Sequence, residues 1–379
     1  MTIVAGEVTT LALPFRFEFR HARASRTEGA SVLVRLVDDE GREGWGEGAP
    51  REYVTGETVE GVRRRLDDEF VPRVLGARVD SLEAAERTLA ALRERAPSGA
   101  NSALCAVELA LLDLAGRVEN LSAGDAIGPV VRQEVRYGAV VSAGSTPEAV
   151  LVCRKAREFG FEDVKVKVGG PPEAEIELLR AVRDSIGPAC SLRIDANGAW
   201  PSPEDALARL ESMRDLDVAA AEEPITPGDL DGLAWLAARS PVPIVADESL
   251  ASADDARRLA ERRACHVFNV RVSKLGGMRE SARVIEIARD AGIDWMLGAH
   301  VGESALLSAA GRHVATRCPG GRWFEGSYGT LLLSEDLGDA TVKSGGVGAA
   351  LTRPGLGVDV SSAALARHSR DAAKIGAAP

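Results

Sequence analysis

EDVKVKVG (162–169), SLRIDA (191–196), VAAAEEP (218–224) and VPIVADE (242–248) decide the reading of this chain. Each is a short run rich in apolar and β-branched residues, and each ends in charge. Runs with helical spacing lie between them, such as EAEIELLRAVRDSI (173–186). Working outward, VRYGAVVS (135–142) comes before these four, and HVFNVRVS (266–273), IDWMLGA (293–299) and RWFEG (322–326) follow. SARVIEIARDAG (281–292) is another helical run. Eight short strands alternating with helices predict an α/β fold, a (β/α)₈ barrel of the TIM type. A doubly wound sheet would carry a GxGxxG turn after its first strand, and VSAGSTPE (141–148) offers none.

The texture before this region is α+β. SVLVRLVDD (31–39) alternates apolar and polar residues as a strand does, and GREGWGEG (41–48) follows as its hairpin partner. SLEAAERTLAALRERA (81–96) and NSALCAVELALLDLAGR (101–117) have helical spacing. The second is apolar almost all round, so it is expected to be buried. The expected division is an N-terminal α+β domain over 1–130, a barrel over 131–340 and a segment over 341–379. That last segment is Gly- and Ala-rich and returns to the first domain.

A chain of 379 residues suits one large barrel with a smaller domain, and 45% hydrophobic residues can fill its core. The net charge of −11 argues against a nucleic-acid partner, which needs a basic face. The five cysteines are scattered and odd in number, with no CxxC pair. Neither a disulfide framework nor a cysteine-bound metal is expected, and a reduced, cytoplasmic setting fits. MTIVAGEVTTLALPF lacks the basic and apolar regions of a signal peptide. No apolar run reaches the length of roughly 18 residues that would predict a membrane span.

Active sites of parallel barrels form where the strands end. Lys165 and Lys167 end the second strand, and their spacing points both into the barrel. The third ends at Asp195 with Asn197 beyond it, the fourth at Glu222, and the fifth at Asp247 and Glu248. The sixth carries Arg271. From Lys167 the steps are 28 (to 195), 27 (to 222), 25 (to 247) and 24 (to 271), each about one βα unit. These residues therefore recur at one level. Three buried carboxylates on adjacent strands would repel, at a cost of several kcal/mol each, unless a cation joins them. Oxygen-only ligands favour Mg²⁺, with Mn²⁺ as a substitute. An ordinary lysine is a poor base at neutral pH. A second ammonium and a metal ion beside a lysine favour its neutral, basic form, and the pattern offers both next to Lys167. Such a set fits removal of a proton from carbon beside a carboxylate, the metal stabilising the enediolate charge.

The stretches VKVKVG, RIDANGAW, AEEP, VADES and NVRVSKLGG together resemble the enolase superfamily, and within it the muconate-lactonizing (muconate cycloisomerase) subgroup. SALCAVELALLDLAG resembles the helix leading from that family's capping domain to its barrel. The resemblance implies Asp195, Glu222 and Asp247 as metal ligands, with Asn197 and Glu248 orienting them. It implies Lys167 as base, Lys165 as its electrostatic neighbour, and a capping domain that closes through segments near Arg16–Arg26 and Arg51–Gly56, which include Tyr53. It also implies a small carboxylate substrate and a homo-oligomer.

One position departs from the subgroup. Arg271 stands where a lysine is usual, and Lys274, three residues on, is expected to face the other way by strand alternation. Arginine keeps its proton. One base is therefore expected, which favours cycloisomerisation or elimination over racemisation or epimerisation. A non-catalytic relative is the third alternative. Further substrate-contact candidates are His300 and Glu303 after the seventh strand, with Glu303 a candidate partner of Arg271, and Glu325 at the end of the eighth. The acidic DxD of the family's dipeptide epimerases is missing from EGSYG (325–329). His313 and Trp200 are expected to pack. Gly276–Gly277 is read as a turn, with anion binding at the following helix as the alternative.

Overall fold

The computed structural model describes residues 1–21, 24–142, 145–326, 329–339 and 342–376. β1 (Ile3–His21), β2 (Ala24–Asp38) and β3 (Glu43–Gly48) form antiparallel pairs in that order. Gly44, Gly46 and Gly48 share one face of β3, because strand side chains alternate. That face lies on the Asn101–Glu119 helix. A Cβ added to the three glycines in turn would run into the backbone carbonyls of Ala110, Ala106 and Ser102. Two strand residues thus match one helical turn, and only glycine lets the two backbones approach so closely. The helix is buried continuously from Ser102 to Gly116, as its apolar sequence predicts.

The second sheet is parallel and curled. Its strands are β5 (Ala139–Val141), β6 (Asp163–Lys167), β7 (Ser191–Asp195), β8 (Val218–Glu222), β9 (Ile244–Ala246), β10 (Val267–Val270) and β11 (Asp294–Leu297), and each pairs with the next. Helices separate them and turn apolar stripes inward. The Pro172–Ile186 helix buries Leu179, Val182 and Ile186. Serines start several of these helices: Ser202 Oγ accepts from Asp205 N–H, and Ser252 Oγ from Asp255 N–H, each at 3.1 Å.

Three strand expectations change. VRYGAVVS does not run as one strand: β4 (Glu134–Arg136) leaves the parallel sheet and pairs antiparallel with β12 (Val347–Ala349). The break falls at Gly138, where any Cβ would collide with the Asp163 carboxylate. RWFEG forms a single parallel bridge, Leu297 with Phe324. Glu325 N–H donates to Leu297 O and Gly138 N–H to Phe324 O, both at 2.8 Å, so this segment lies between β11 and β5. HVFNVRVS leaves the strand at Val270 and turns into a helical turn over Val272–Leu275.

The chain ends by returning to the first sheet. β13 (Ser369–Gly376) pairs antiparallel with β1, from Ala5–Gly376 to Leu11–Ser369 with a shift of register between Val8 and Thr10. Among the described residues, no helix is long and apolar enough to cross a membrane.

Candidate active site

The parallel register sets charged residues level. Lys167 stands beside Asp195 and Asp195 beside Glu222, while Glu222 pairs with Val245, two residues before Asp247. Asp195, Glu222 and Asp247 are at most 2% exposed. Cations lie between them. Lys165 Nζ is 2.9 Å from Glu222 Oε2 and 3.5 Å from Asp195 Oδ2. Arg271 Nη2 is paired with Asp247 Oδ2 and is 3.5 Å from Glu222 Oε1. Two cations thus each bridge two of the three carboxylates, which form one contiguous row. Lys167 Nζ donates to Asp195 Oδ2 (2.5 Å) and Asn197 Oδ1 (3.0 Å). Its side chain is 13% exposed against 2% for Lys165, so its amine is the more accessible of the two.

The burial of so much charge sorts the protonation states. Burial opposes ionisation of Asp195, but Lys167 and Lys165 outweigh it and hold the carboxyl at about 2. Burial and then the charge of Asp195 push Glu222 up to about 8. Asp247 is held low because Arg271 and Lys274 overcome its burial. Glu248 rises to about 8 through burial and the nearby Asp247, and its Oε2 has no partner among the described residues. Burial opposes the charge of Lys165, yet Glu222, Glu325 and Asp195 keep its pKa above the ordinary value. Crowded carboxyls with an orphaned oxygen are the surroundings a hard dication stabilises. No three carboxylate, imidazole or thiolate groups among the described residues already stand as a metal cage. The carboxylates turn to the ammonium and guanidinium groups instead. The donor set, all oxygen on adjacent strands, nevertheless fits Mg²⁺.

Around this row, Asn197 N–H donates to Asp195 Oδ1 (2.9 Å) and its Nδ2 to Glu248 Oε1 (3.0 Å). Tyr53 lies within electrostatic reach of Arg51 and Arg271. Of the capping segment near Arg16–Arg26, Ala22 and Arg23 lie outside the described residues.

The structure corrects three expectations. Lys274 does not face away: the strand has ended, and the helical turn swings Nζ to Asp247 Oδ1 (2.8 Å), Asp247 O (2.7 Å) and Asn269 O (2.9 Å). Glu303 forms no ion pair with Arg271. It accepts from His300 N–H (3.1 Å) and Ser308 Oγ (3.4 Å). Glu325, read as a contact for the substrate tail, is 3% exposed and has both oxygens occupied, by Lys165 Nζ and Arg193 Nη1 at 2.8 Å each. Arg193, which continues to Asp163, escaped the sequence reading. Its signal was its place two residues before Asp195 on an inward-facing strand, the same spacing as Lys165 and Lys167. The Gly276–Gly277 turn offers no open anion site, since Glu108 Oε1 already accepts from Arg279 N–H (3.0 Å) there. Trp200 and His313 are both buried, 1% and 0% exposed.

Known proteins share this fold. Residues 148–364 match the family profile described as enolase C-terminal domain-like, and residues 2–128 match the mandelate racemase / muconate lactonizing enzyme N-terminal domain. The N-succinylamino acid racemase of Thermus thermophilus is 35% identical over 321 residues, which is 83% of each protein. The crystal structure of N-succinyl Arg/Lys racemase from Bacillus cereus superposes with a TM-score of 0.93 at 25% identity, covering 99% of this chain and 100% of that one. The dipeptide epimerase of Enterococcus faecalis, crystallised with Mg and the dipeptide L-Leu-L-Tyr, gives 0.87 at 26% identity, over 94% and 99%. This chain belongs to the enolase superfamily, in the branch named for mandelate racemase and muconate lactonizing enzyme. It is an enzyme, which removes the non-catalytic alternative.

Proposed function

We propose that Lys167 removes a proton from the carbon beside a carboxylate of a small organic acid. Asp195, Glu222 and Asp247 would hold Mg²⁺, or Mn²⁺ in its place, and the ion when bound would stabilise negative charge developing on that carboxylate. The fold around this site is a full eight-stranded barrel over residues 131–340, closed by Arg322–Glu325 between β11 and β5. A capping domain over 1–130, completed by 341–379, covers it.

The observation that carries the proposal is the row of three buried carboxylates, with the most accessible amine of the site, Lys167, at its end. The same geometry favours a single base. Lys274 is 0% exposed and its amine already has three acceptors, so it has no route to substrate. Arg271 is buried, yet Asp247 and Glu222 raise its pKa further, so it keeps its proton. A proton removed on one face, next to a permanent cation, suits cycloisomerisation or elimination. The second reading is racemisation or epimerisation of an amino-acid derivative, which the racemases and epimerases similar to this chain favour.

Incubation in D₂O with Mg²⁺ and three acids separates these readings: muconolactone, N-succinyl-L-arginine and L-Leu-L-Tyr. Deuterium uptake with retained configuration, or opening of the lactone ring with its oxygen leaving as a carboxylate, supports the single base. Uptake with inversion supports the second reading. Exchange that survives Lys167→Ala refutes the base assignment in both.

A further inference from the structure

The loop after β11 carries a histidine, His300, unlike the other three whose side chains are described. His266 Nδ1 accepts from Ile244 N–H at 3.0 Å. Buried His313 has Leu356 O at 3.1 Å from Nε2 and Arg317 Nη1 at 3.2 Å from Nδ1. His368 Nε2 meets Glu335 at 2.7 Å. His300 is 2% exposed, and neither of its ring nitrogens has a partner among the described residues. Leaving a buried polar atom unpaired destabilises a fold. Packing alone does not explain that cost, because His313 shows how this fold satisfies a buried imidazole.

The surroundings say what kind of partner is missing. Burial, then the charges of Arg51 and Arg271, hold His300 well below the ordinary histidine pKa; Asp247 opposes them and Lys274 adds to them, so cations outnumber the one opposing carboxylate. The ring is therefore neutral, with one N–H to give, in a neighbourhood that attracts oxygen-rich, anionic groups. The loop is also fixed from the first sheet. Arg51 donates to Val301 O (2.7 Å) and to Ala30 O (3.0 Å). Ser304 N–H donates to Glu47 Oε1 (3.1 Å). Gly29 and Gly302 meet backbone to backbone, so that a Cβ on Gly29 would strike the Gly302 carbonyl. A loop backbone held this firmly fixes the place from which the ring meets a ligand.

We infer that His300 is a substrate-recognition residue that donates a ring N–H to an oxygen of the bound acid, on the Arg271 side of the site. Strands and loop of the first sheet set its position through Arg51 and Glu47. This inference rests on the function proposed above and names the group that selects its substrate.

The test compares His300→Phe and His300→Gln with the wild type. It follows deuterium exchange against concentration for muconolactone, N-succinyl-L-arginine and L-Leu-L-Tyr with Mg²⁺. Loss of one hydrogen bond to a charged group predicts a half-saturating concentration raised about tenfold to a hundredfold in His300→Phe. The rate at saturation should stay within about threefold, and His300→Gln should recover most of the affinity through its amide N–H. An unchanged half-saturating concentration in His300→Phe overturns the inference, as does a lost rate at saturation with affinity intact. If the wild type exchanges none of the three acids, the function above fails, and calorimetric binding of the same acids decides His300 by itself. Weaker binding to His300→Phe supports the inference; equal binding, or none to any variant, overturns it.

Discussion

Lys274 offers the sharpest check on how this site holds its charge. Its ammonium is 0% exposed and donates to Asp247 Oδ1, Asp247 O and Asn269 O. Lys274→Met keeps the length of the side chain and most of its volume, so little of the effect comes from a cavity. It leaves the Asp247 carboxylate buried with Arg271 as its remaining cation. Removing one partner of a buried ion pair costs about 3–5 kcal/mol, and the retained Arg271 places the expected loss near the lower end, about 3 kcal/mol. A chain of 379 residues unfolds with an entropy of roughly 0.8 kcal/mol/K, so the melting temperature should fall by about 4 °C. Differential scanning calorimetry on wild type and variant reads this directly. A fall of less than about 1 °C would show that Lys274 does not neutralise Asp247, and the placement of the helical turn after β10 would be wrong with it.

Four further outcomes are expected. Arg271→Lys places a second amine in the site, and ¹H NMR in D₂O should show inversion of configuration rising relative to the wild type. Gly46→Ala drives a methyl into the carbonyl of Ala106, and urea unfolding should show a loss of about 1–3 kcal/mol or more. Burial and then Glu47 push the Glu303 carboxyl up to about 8, so its neutral form stabilises the fold at low pH. That contribution is complete below the unfolded pKa near 4.5 and is lost as pH rises through about 8, so Glu303→Gln should gain on the wild type in melts run from pH 5 to pH 8.5. Chelation with EDTA should abolish deuterium exchange, and Mg²⁺ titrated back should restore it and raise the melting temperature.

What the sequence disclosed follows its periodicities. Asp195, Glu222 and Asp247 were legible because each closes a strand, and the βα repeat carries strand ends to one level. Lys165 and Lys167 were legible because a spacing of two keeps side chains on one face. Arg193 obeys the same rule with Asp195 and lies level with Lys165, but its partners Asp163 and Glu325 come from other segments of the chain, so its role has no local sign. Lys274 was misread because alternation holds only while the backbone is extended, and that stops at Val270. Glu325 was misread because its partners, Lys165 and Arg193, come from β6 and β7, brought to it only by the curl of the sheet. No local pattern reports such a contact. The glycines of β3 were visible as a repeat, but their purpose needs the helix against which they lie.

The pairing of β1 with β13 bears on how the chain is made. Ala5 and Gly376 are neighbours in the sheet and 371 residues apart in sequence. At about 5–20 residues per second, β1 waits roughly 20–75 s on the ribosome for its partner. During that time one edge of the first sheet has open N–H and C=O groups, the kind of surface that invites pairing with another chain. The nascent protein is therefore most exposed to misassembly while its catalytic half is already being synthesised, and a chaperone that covers the open edge should improve its yield.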